Sequence, residues 1–364
     1  MLACAAVLHR FHEPLILETI PVPALAPGQA LVEVVAAGVC GSDVHMWEGR
    51  DPRTPLPMIL GHEGVGRLVE SHGPRWDVYG RPLASGDLVL WERGVTCGAC
   101  HACAVLHEPA LCAQRWVYGI HRSLEVAPHL NGCYATHLVL DARTPLLALE
   151  PDDDPALLVS ATCSGATAAH GFALSPAQAG ANVVIFGPGP VGIYSTLLAA
   201  ASGAEGVVVI GGAGVRLDFC ARVGATHLLN RRALTAEQRR EAVFDLTHGL
   251  GADLVVEASG SLAAAREALD LVRQGGAVSF VGFGTPVGEL SLPPFETLVR
   301  RNVRVQGVWV SNLTHTLQAV SLVRQHRQAL QGLVTHRFTL DQATAALQAV
   351  NGREAIKAVL LPNG

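Results

Sequence analysis

The sequence predicts an α/β protein in two parts: an irregular β-rich body, and a parallel sheet covered by helices on both faces. The chain has 364 residues, 49% of them hydrophobic, which is more than one ordinary core accommodates and favours two domains. Up to about Leu149, short β-type runs (LILETI, ALVEVVAAG, GVGRLVE, DLVLWE, ATHLVL) are separated by Gly, Pro and Asp turns, and helical periodicity is scarce. From about Cys163, strand-like runs (NVVIFG, GVVVIGG, DLVVEASG, AVSFVGFG, VRVQGVWV) alternate with alanine-rich helical stretches (VGIYSTLLAAASG, VRLDFCARVGA, SLAAAREALDLVRQG). Apolar strands alternating with helices argue for a doubly covered parallel sheet. The tail from His315 begins helical, returns to mixed texture and is assigned back to the first part. The predicted division is therefore 1–164 with 311–364, and 165–310, with a cysteine-rich lobe at about 93–115. PDDDPA reads as a hinge-like turn opening a helix, where negative charge is favoured.

Composition narrows the function. Lys and Arg number 26 against 31 Asp and Glu, for a net charge of −5. No basic face is implied, so nucleic acid is not an expected partner. In MLACAAVLHR the first positive charge follows the apolar run. That order is wrong for a signal peptide and the run is too short to cross a bilayer. The expectation is a soluble, cytoplasmic protein whose thiols stay reduced.

Two metal patterns and one nucleotide pattern stand out. CGACHACAVLHEPALC places Cys97, Cys100, Cys103 and Cys112 where four thiolates can close around one structural zinc ion. A disulfide pair is the competing reading, and a reducing compartment disfavours it. NVVIFGPGPVG carries G-x-G-x-x-G at Gly187, Gly189 and Gly192, after an apolar strand and before a helix. The first glycine serves the tight turn, the second the approach of a pyrophosphate, and the third close helix–strand packing. The next strand ends at Gly211 where an acid would bind the ribose 2′-hydroxyl of NAD. Its absence also admits NADP. Arg216 either reaches a 2′-phosphate, lies along its helix or stacks on adenine, so the preference between NAD and NADP stays open. AAGVCGSDVH sets Cys40 in a glycine-flanked turn with Ser42 and His45 behind it; GHEGVG supplies His62 and Glu63; SATCSGAT supplies Cys163. Two thiolates and an imidazole suit a second zinc ion with one position open for chemistry.

GVCGSDVH, GHEGVG, the four-cysteine cluster, GPGPVG and the tail FTLDQA…AIKAVL resemble the zinc-dependent medium-chain alcohol and polyol dehydrogenases, in that family's motif order and over nearly the whole chain. The resemblance implies a GroES-like β-rich catalytic domain and a Rossmann domain. It implies that Cys40, His62 and Cys163 hold a catalytic zinc, and that Glu63 lies next to the metal. It makes Ser42 and His45 the proton relay. Thr167 and Val191 should border the nicotinamide, and Lys357 should reach the pyrophosphate. The Cys103–Cys112 gap is one residue longer than the family's usual spacing, so the lobe loop should bulge. Cys163 stands where polyol-type relatives carry an acid, which favours a Cys-His-Cys set.

The implied reaction is reversible hydride transfer between an alcohol and NAD(P)⁺ in a homodimer or homotetramer. Met46, Trp47, Trp116, Trp309 and the segment Tyr118 to Asn131, with His121, Arg122 and His129, are candidates for a substrate pocket suited to a secondary, cyclic or polyhydroxy alcohol. Asp43 either belongs to its turn or orients a ligand imidazole. The alternatives are a lyase or isomerase of the same architecture that keeps a bound nicotinamide, and a zinc-bearing scaffold.

Overall fold

The structure, a computed structural model, describes residues 1–212 and 214–364. It contains two compact units: 1–163 with 312–325 and 331–364, and 164–311 with 326–330.

The first unit is built on an antiparallel-dominated seven-stranded sheet. Its strand order is Leu146–Ala148, Leu88–Trp91, Glu63–Ser71, Ala30–Val39, Lys357–Leu360, Val334–Phe338, with His137–Leu140 also pairing to Ala30–Val39. The long strand Ala30–Val39 is buried almost throughout, because ALVEVVAAGV has partners on both edges and core on its faces. A smaller sheet joins Ile16–Pro21, Leu2–Leu8 and Met58–Ile59. The C-terminal strand Lys357–Leu360 runs antiparallel to Ala30–Val39, pairing Ala358 with Val39. One core cluster runs through this unit and includes Met46, Trp47, Trp91, Trp116 and Tyr118.

The second unit is a six-stranded sheet in the order His227–Asn230, Gly206–Gly211, Asn182–Phe186, Ala252–Glu257, Val272–Phe280, Arg304–Gly307, every neighbouring pair parallel. This is the doubly wound dinucleotide-binding order, which reverses direction at the strand Asn182–Phe186. The central strands are buried nearly end to end, as helices on both faces require. One expectation is corrected. SLAAAREALDLVRQG does not stay helical; the helix Leu262–Leu271 gives way at once to the strand Val272–Phe280. Arg301 donates to the carbonyls of Leu269 and Val272, satisfying the helix end and freeing Val272 to pair with Ala252.

Tyr118 shows how a side chain pins loops in the first unit. Its buried hydroxyl lies 2.6 Å from Thr144 Oγ1 and accepts the Asp141 backbone N–H at 2.8 Å. Tyr118→Phe leaves both partners buried and unsatisfied, and is expected to lower the denaturant-unfolding free energy by about 1–3 kcal/mol. An unfolding curve superimposable on wild type would refute that role.

Candidate active site and metal centres

Cys40 follows the strand Ala30–Val39 and caps the helix Gly41–Trp47. Asp43, one turn in, returns its carboxylate to the Cys40 backbone N–H at 2.8 Å, completing a capping box. The other carboxylate oxygen accepts the Gly61 N–H at 3.3 Å and faces His62 Nδ1 at 3.2 Å. Asp43 thus serves its turn and orients the imidazole. With Nδ1 held by the carboxylate, Nε2 is the ring atom left to meet a metal.

That atom is an orphan. Among the described residues His62 Nε2 is buried without a hydrogen-bond partner, as is Glu63 Oε1. Burial opposes charge on His62, but Asp43 and the Cys40 sulfur outweigh it and raise its pKa to about 10. The pocket demands positive charge at Nε2, which a metal ion supplies in place of a proton. The two sulfurs agree. Hydrogen bonding from Cys163 chiefly draws the Cys40 thiol well below its ordinary range. Cys163, bonded to Cys40 and buried, is pushed well above its own. A divalent cation between the two sulfurs would favour the thiolate form of both. Ligand atoms of Cys40, His62, Glu63 and Cys163 all lie within 4.8 Å of one another. Tetrahedral bonds of about 2.0–2.3 Å set ligands roughly 3.5 Å apart, so this donor set fits zinc.

Lys357 departs from its expected place. It is 1% exposed; its ammonium pairs with Glu63 Oε2 and donates to the Val39 carbonyl at 3.3 Å. A cation held so by a buried carboxylate is not available to a pyrophosphate. The resemblance named the position but not the partner, because Glu63 and Lys357 meet only across the strand Ala30–Val39 that lies between theirs.

Ser42 and His45 lie three residues apart on the helix Gly41–Trp47, spacing that puts them on one face. Among the described residues His45 Nδ1 is buried without a hydrogen-bond partner. Burial, then Arg50, lowers its pKa, so the ring is neutral near pH 7 and able to accept a proton.

The lobe gathers Cys97, Cys100, Cys103 and Cys112 within the same 4.8 Å limit. All nine cysteines are free, and Cys97 and Cys112 stand 3.5 Å apart at sulfur, well beyond a disulfide bond. Backbone N–H groups point at the sulfurs, from Cys97 to Cys112 at 3.4 Å and from Cys100 to Cys97 at 3.3 Å. The longer Cys103–Cys112 spacing is taken up by a left-handed turn at His107 (φ 56°), before the short helix Pro109–Leu111.

In the second unit, Gly187 follows the strand Asn182–Phe186 with φ 91°. Gly189 caps the helix Pro190–Ala201, and a Cβ there would meet nothing within 4 Å. That open backbone, at a helix N-terminus, fits a pyrophosphate. A Cβ on Gly192 would fall onto the Gly187 carbonyl oxygen, so the third glycine is dictated by packing. Val191 opens the same helix, half-buried, and Thr167 is half-buried on the helix Ser164–Leu174. The missing acid at Gly211 has a steric cause: a side chain there would collide with the Pro188 ring of the glycine-rich loop. Arg216 is half-buried in the first turn of the helix Val215–Arg222.

The candidate pocket residues divide. Met46, Trp47 and Trp116 belong to the core, and Trp47 donates to the Glu13 carbonyl at 2.7 Å. Arg122 lies 3.6 Å over the Trp116 ring, and His129 Nδ1 is 2.8 Å from the Leu124 carbonyl; both are tied into their own loop. Trp309 is 42% exposed in the second unit. Sequence reading missed Arg93, a buried guanidinium beside Cys163, and Arg232, whose Nε is 3.5 Å from where a Gly212 Cβ would stand. Neither sits in a recognisable motif.

Residues 26–151 match the family model of the alcohol dehydrogenase GroES-like domain, and 190–325 that of the zinc-binding dehydrogenases. A 5-exo-hydroxycamphor dehydrogenase of Pseudomonas putida is 35% identical, over 94% of each chain. The chain belongs to the zinc-dependent medium-chain dehydrogenases. A sorbitol dehydrogenase of Halalkalibacterium halodurans is 31% identical over 94% of each chain. An alcohol dehydrogenase from Thermotoga maritima matches in structure over 100% of both chains, with TM-score 0.96 and 45% identity. A Sinorhizobium meliloti protein solved with NADP bound is 25% identical, with TM-score 0.86 over 100% of both chains. As a member of this family, the dehydrogenase is an oxidoreductase that works with zinc and a nicotinamide dinucleotide.

Metal analysis of this dehydrogenase is expected to return two zinc ions per chain, one for each cluster, and Cys163→Ser to retain only the lobe ion. A Cys163→Ser protein with unchanged zinc content would contradict the assignment.

Proposed function

We propose that the dehydrogenase catalyses reversible hydride transfer between a cyclic secondary alcohol and NADP⁺, giving the ketone. The observation that carries this is the orphaned His62 Nε2 in a cluster where ligand atoms of His62, Cys40 and Cys163 lie within 4.8 Å of one another. The cyclic substrate is supported by the hydroxycamphor-oxidising relative; polyols, as for the sorbitol dehydrogenase, are the second reading. Nothing favours a lyase or an isomerase.

In this proposal Cys40, His62 and Cys163 hold the catalytic zinc, and Cys97, Cys100, Cys103 and Cys112 the structural one. When bound, the catalytic ion is a Lewis acid for the substrate oxygen. Asp43 fixes His62, and Lys357 neutralises Glu63 beside the ion. Ser42 receives the hydroxyl proton and His45, neutral and on the same helix face, passes it towards solvent. Gly187, Gly189 and Gly192 admit the pyrophosphate to the helix N-terminus, with Thr167 and Val191 bordering the nicotinamide. The domains are 1–164 with 311–364, and 165–310.

The preference for NADP⁺ is supported by Gly211, where Pro188 leaves no space for an acid, and by Arg232 beside Gly212. Arg232 follows the neighbouring strand His227–Asn230, whose Asn230 pairs with Gly211, and an arginine near this strand end suits a 2′-phosphate. Arg216, in the next helix turn, is a second candidate. A cytoplasmic location and a homo-oligomer complete the proposal. Among the described residues no single helix is long and apolar enough to cross a membrane, and the strand Arg304–Gly307 lies at a sheet edge, where a second copy could pair.

The central test is an alcohol panel run with NADP⁺ and NAD⁺ in parallel. Turnover of cyclic secondary alcohols with NADP⁺ is expected; no oxidation of any alcohol with either cofactor would end the proposal. Arg232→Gln should raise KM for NADP⁺ about tenfold or more, the loss of one charged hydrogen bond, and leave NAD⁺ kinetics in place. His45→Gln should lower kcat near neutral pH by up to about 10²-fold, with recovery as pH rises and hydroxide replaces the relay. A pH-independent loss would assign His45 a structural role instead.

A further inference from the structure

Arg93 sits between the strands Leu88–Trp91 and Gly94–Val95 and is 4% exposed. Its backbone carbonyl accepts the Tyr118 N–H at 3.2 Å, which fixes the turn. Its Nη1 donates to Cys163 Sγ at 2.8 Å. Beside it, Glu92 Oε2 accepts from Thr316 Oγ1 at 2.8 Å and Oε1 from the Gly94 N–H at 3.2 Å.

We propose that Arg93 is a positioning residue for the catalytic metal, donating a charge-assisted hydrogen bond to the Cys163 sulfur that orients it and lowers its electron donation to the ion. This rests on the assignment of that ion to Cys40, His62 and Cys163. Two thiolates formally cancel both charges of a zinc ion and so blunt it as a Lewis acid. A guanidinium proton on one sulfur draws density away from the metal–sulfur bond and leaves the ion more electrophilic. Hydrogen bonds to ligating sulfur tune copper and iron–sulfur centres in this way, and partners of metal ligands typically change affinity or activity about 10–100-fold when removed. A fixed planar donor suits this place better than a flexible ammonium.

The test uses cobalt as a spectroscopic replacement for zinc. Chelator dialysis empties the three-ligand site first, because four thiolates close the lobe against exchange. Refilling with cobalt alone then reads the catalytic site through its near-ultraviolet sulfur-to-cobalt charge-transfer band. In Arg93→Met the band should move to longer wavelength, since an unbonded thiolate gives up charge more easily, and kcat should fall about 10–100-fold. Arg93→Lys, which keeps the charge and one donor, should lie between Met and wild type in both readouts. Bands coincident with wild type in folded Met or Lys variants would overturn the inference. Arg93→Lys carries the comparison if the Met variant does not fold. Wild-type protein that takes up no cobalt after dialysis would instead overturn the assignment of the three ligands, a distinct failure.

Discussion

The first unit's chemistry depends on one buried carboxylate. Asp43 ties the start of a helix, the turn before a strand and an imidazole to a single point. Cys40 and His62 come from segments over 20 residues apart, yet both are held by this group. Its own exposure is 0%, so it persists only because each oxygen has a donor. A sheet brings backbone segments within reach of one another; it does not aim side chains. The aim of Cys40 and His62 comes from Asp43, while the Cys163 sulfur is met by Arg93.

Around that point the protein buries an unusual number of formal charges: Glu63 with Lys357, Glu92 with Thr316 and Gly94, Arg93 with Cys163. Isolated, each would cost several kcal/mol to desolvate. Apolar replacements would pack as well and often stabilise a fold, so such networks are poor candidates for mere scaffolding. They make sense as a preset field for a divalent ion, in which thiolates and carboxylate are offset by fixed cations. The second unit follows a different logic: Gly192 answers backbone crowding, and at Gly211 the Pro188 ring leaves no room for the carboxylate that favours NAD.

Much of this was legible in the sequence, for identifiable reasons. Alternation of apolar runs with helical stretches reports a doubly covered parallel sheet directly, since burial on both faces leaves no polar positions in the strands. The cysteine spacing and G-x-G-x-x-G are local, so geometry follows from chain distance alone. What could not be read was non-local pairing. Lys357 looks like a free cation until the strand holding it is seen beside Val39, and Arg93 looks like a surface residue before a zinc lobe until its guanidinium is found on Cys163. The helix end at Leu271 was hidden for the same reason, because its cap, Arg301, lies 30 residues on. Trp47 and Trp116 were ambiguous by nature: a bulky ring near a site and a ring in the core have the same sequence.

The antiparallel pairing of Lys357–Leu360 with Ala30–Val39 bears on how the molecule is made. Glu63 and Lys357 are separated by 294 positions. At about 5–20 residues per second, a ribosome needs roughly 15–60 s to travel from one to the other. Throughout that interval the carboxylate lacks this counter-ion and the Ala37–Val39 end of the central strand lacks its last partner, while the nucleotide-binding unit is already emerging. The buried carboxylate beside the metal ligands is therefore neutralised at the end of synthesis rather than near its beginning.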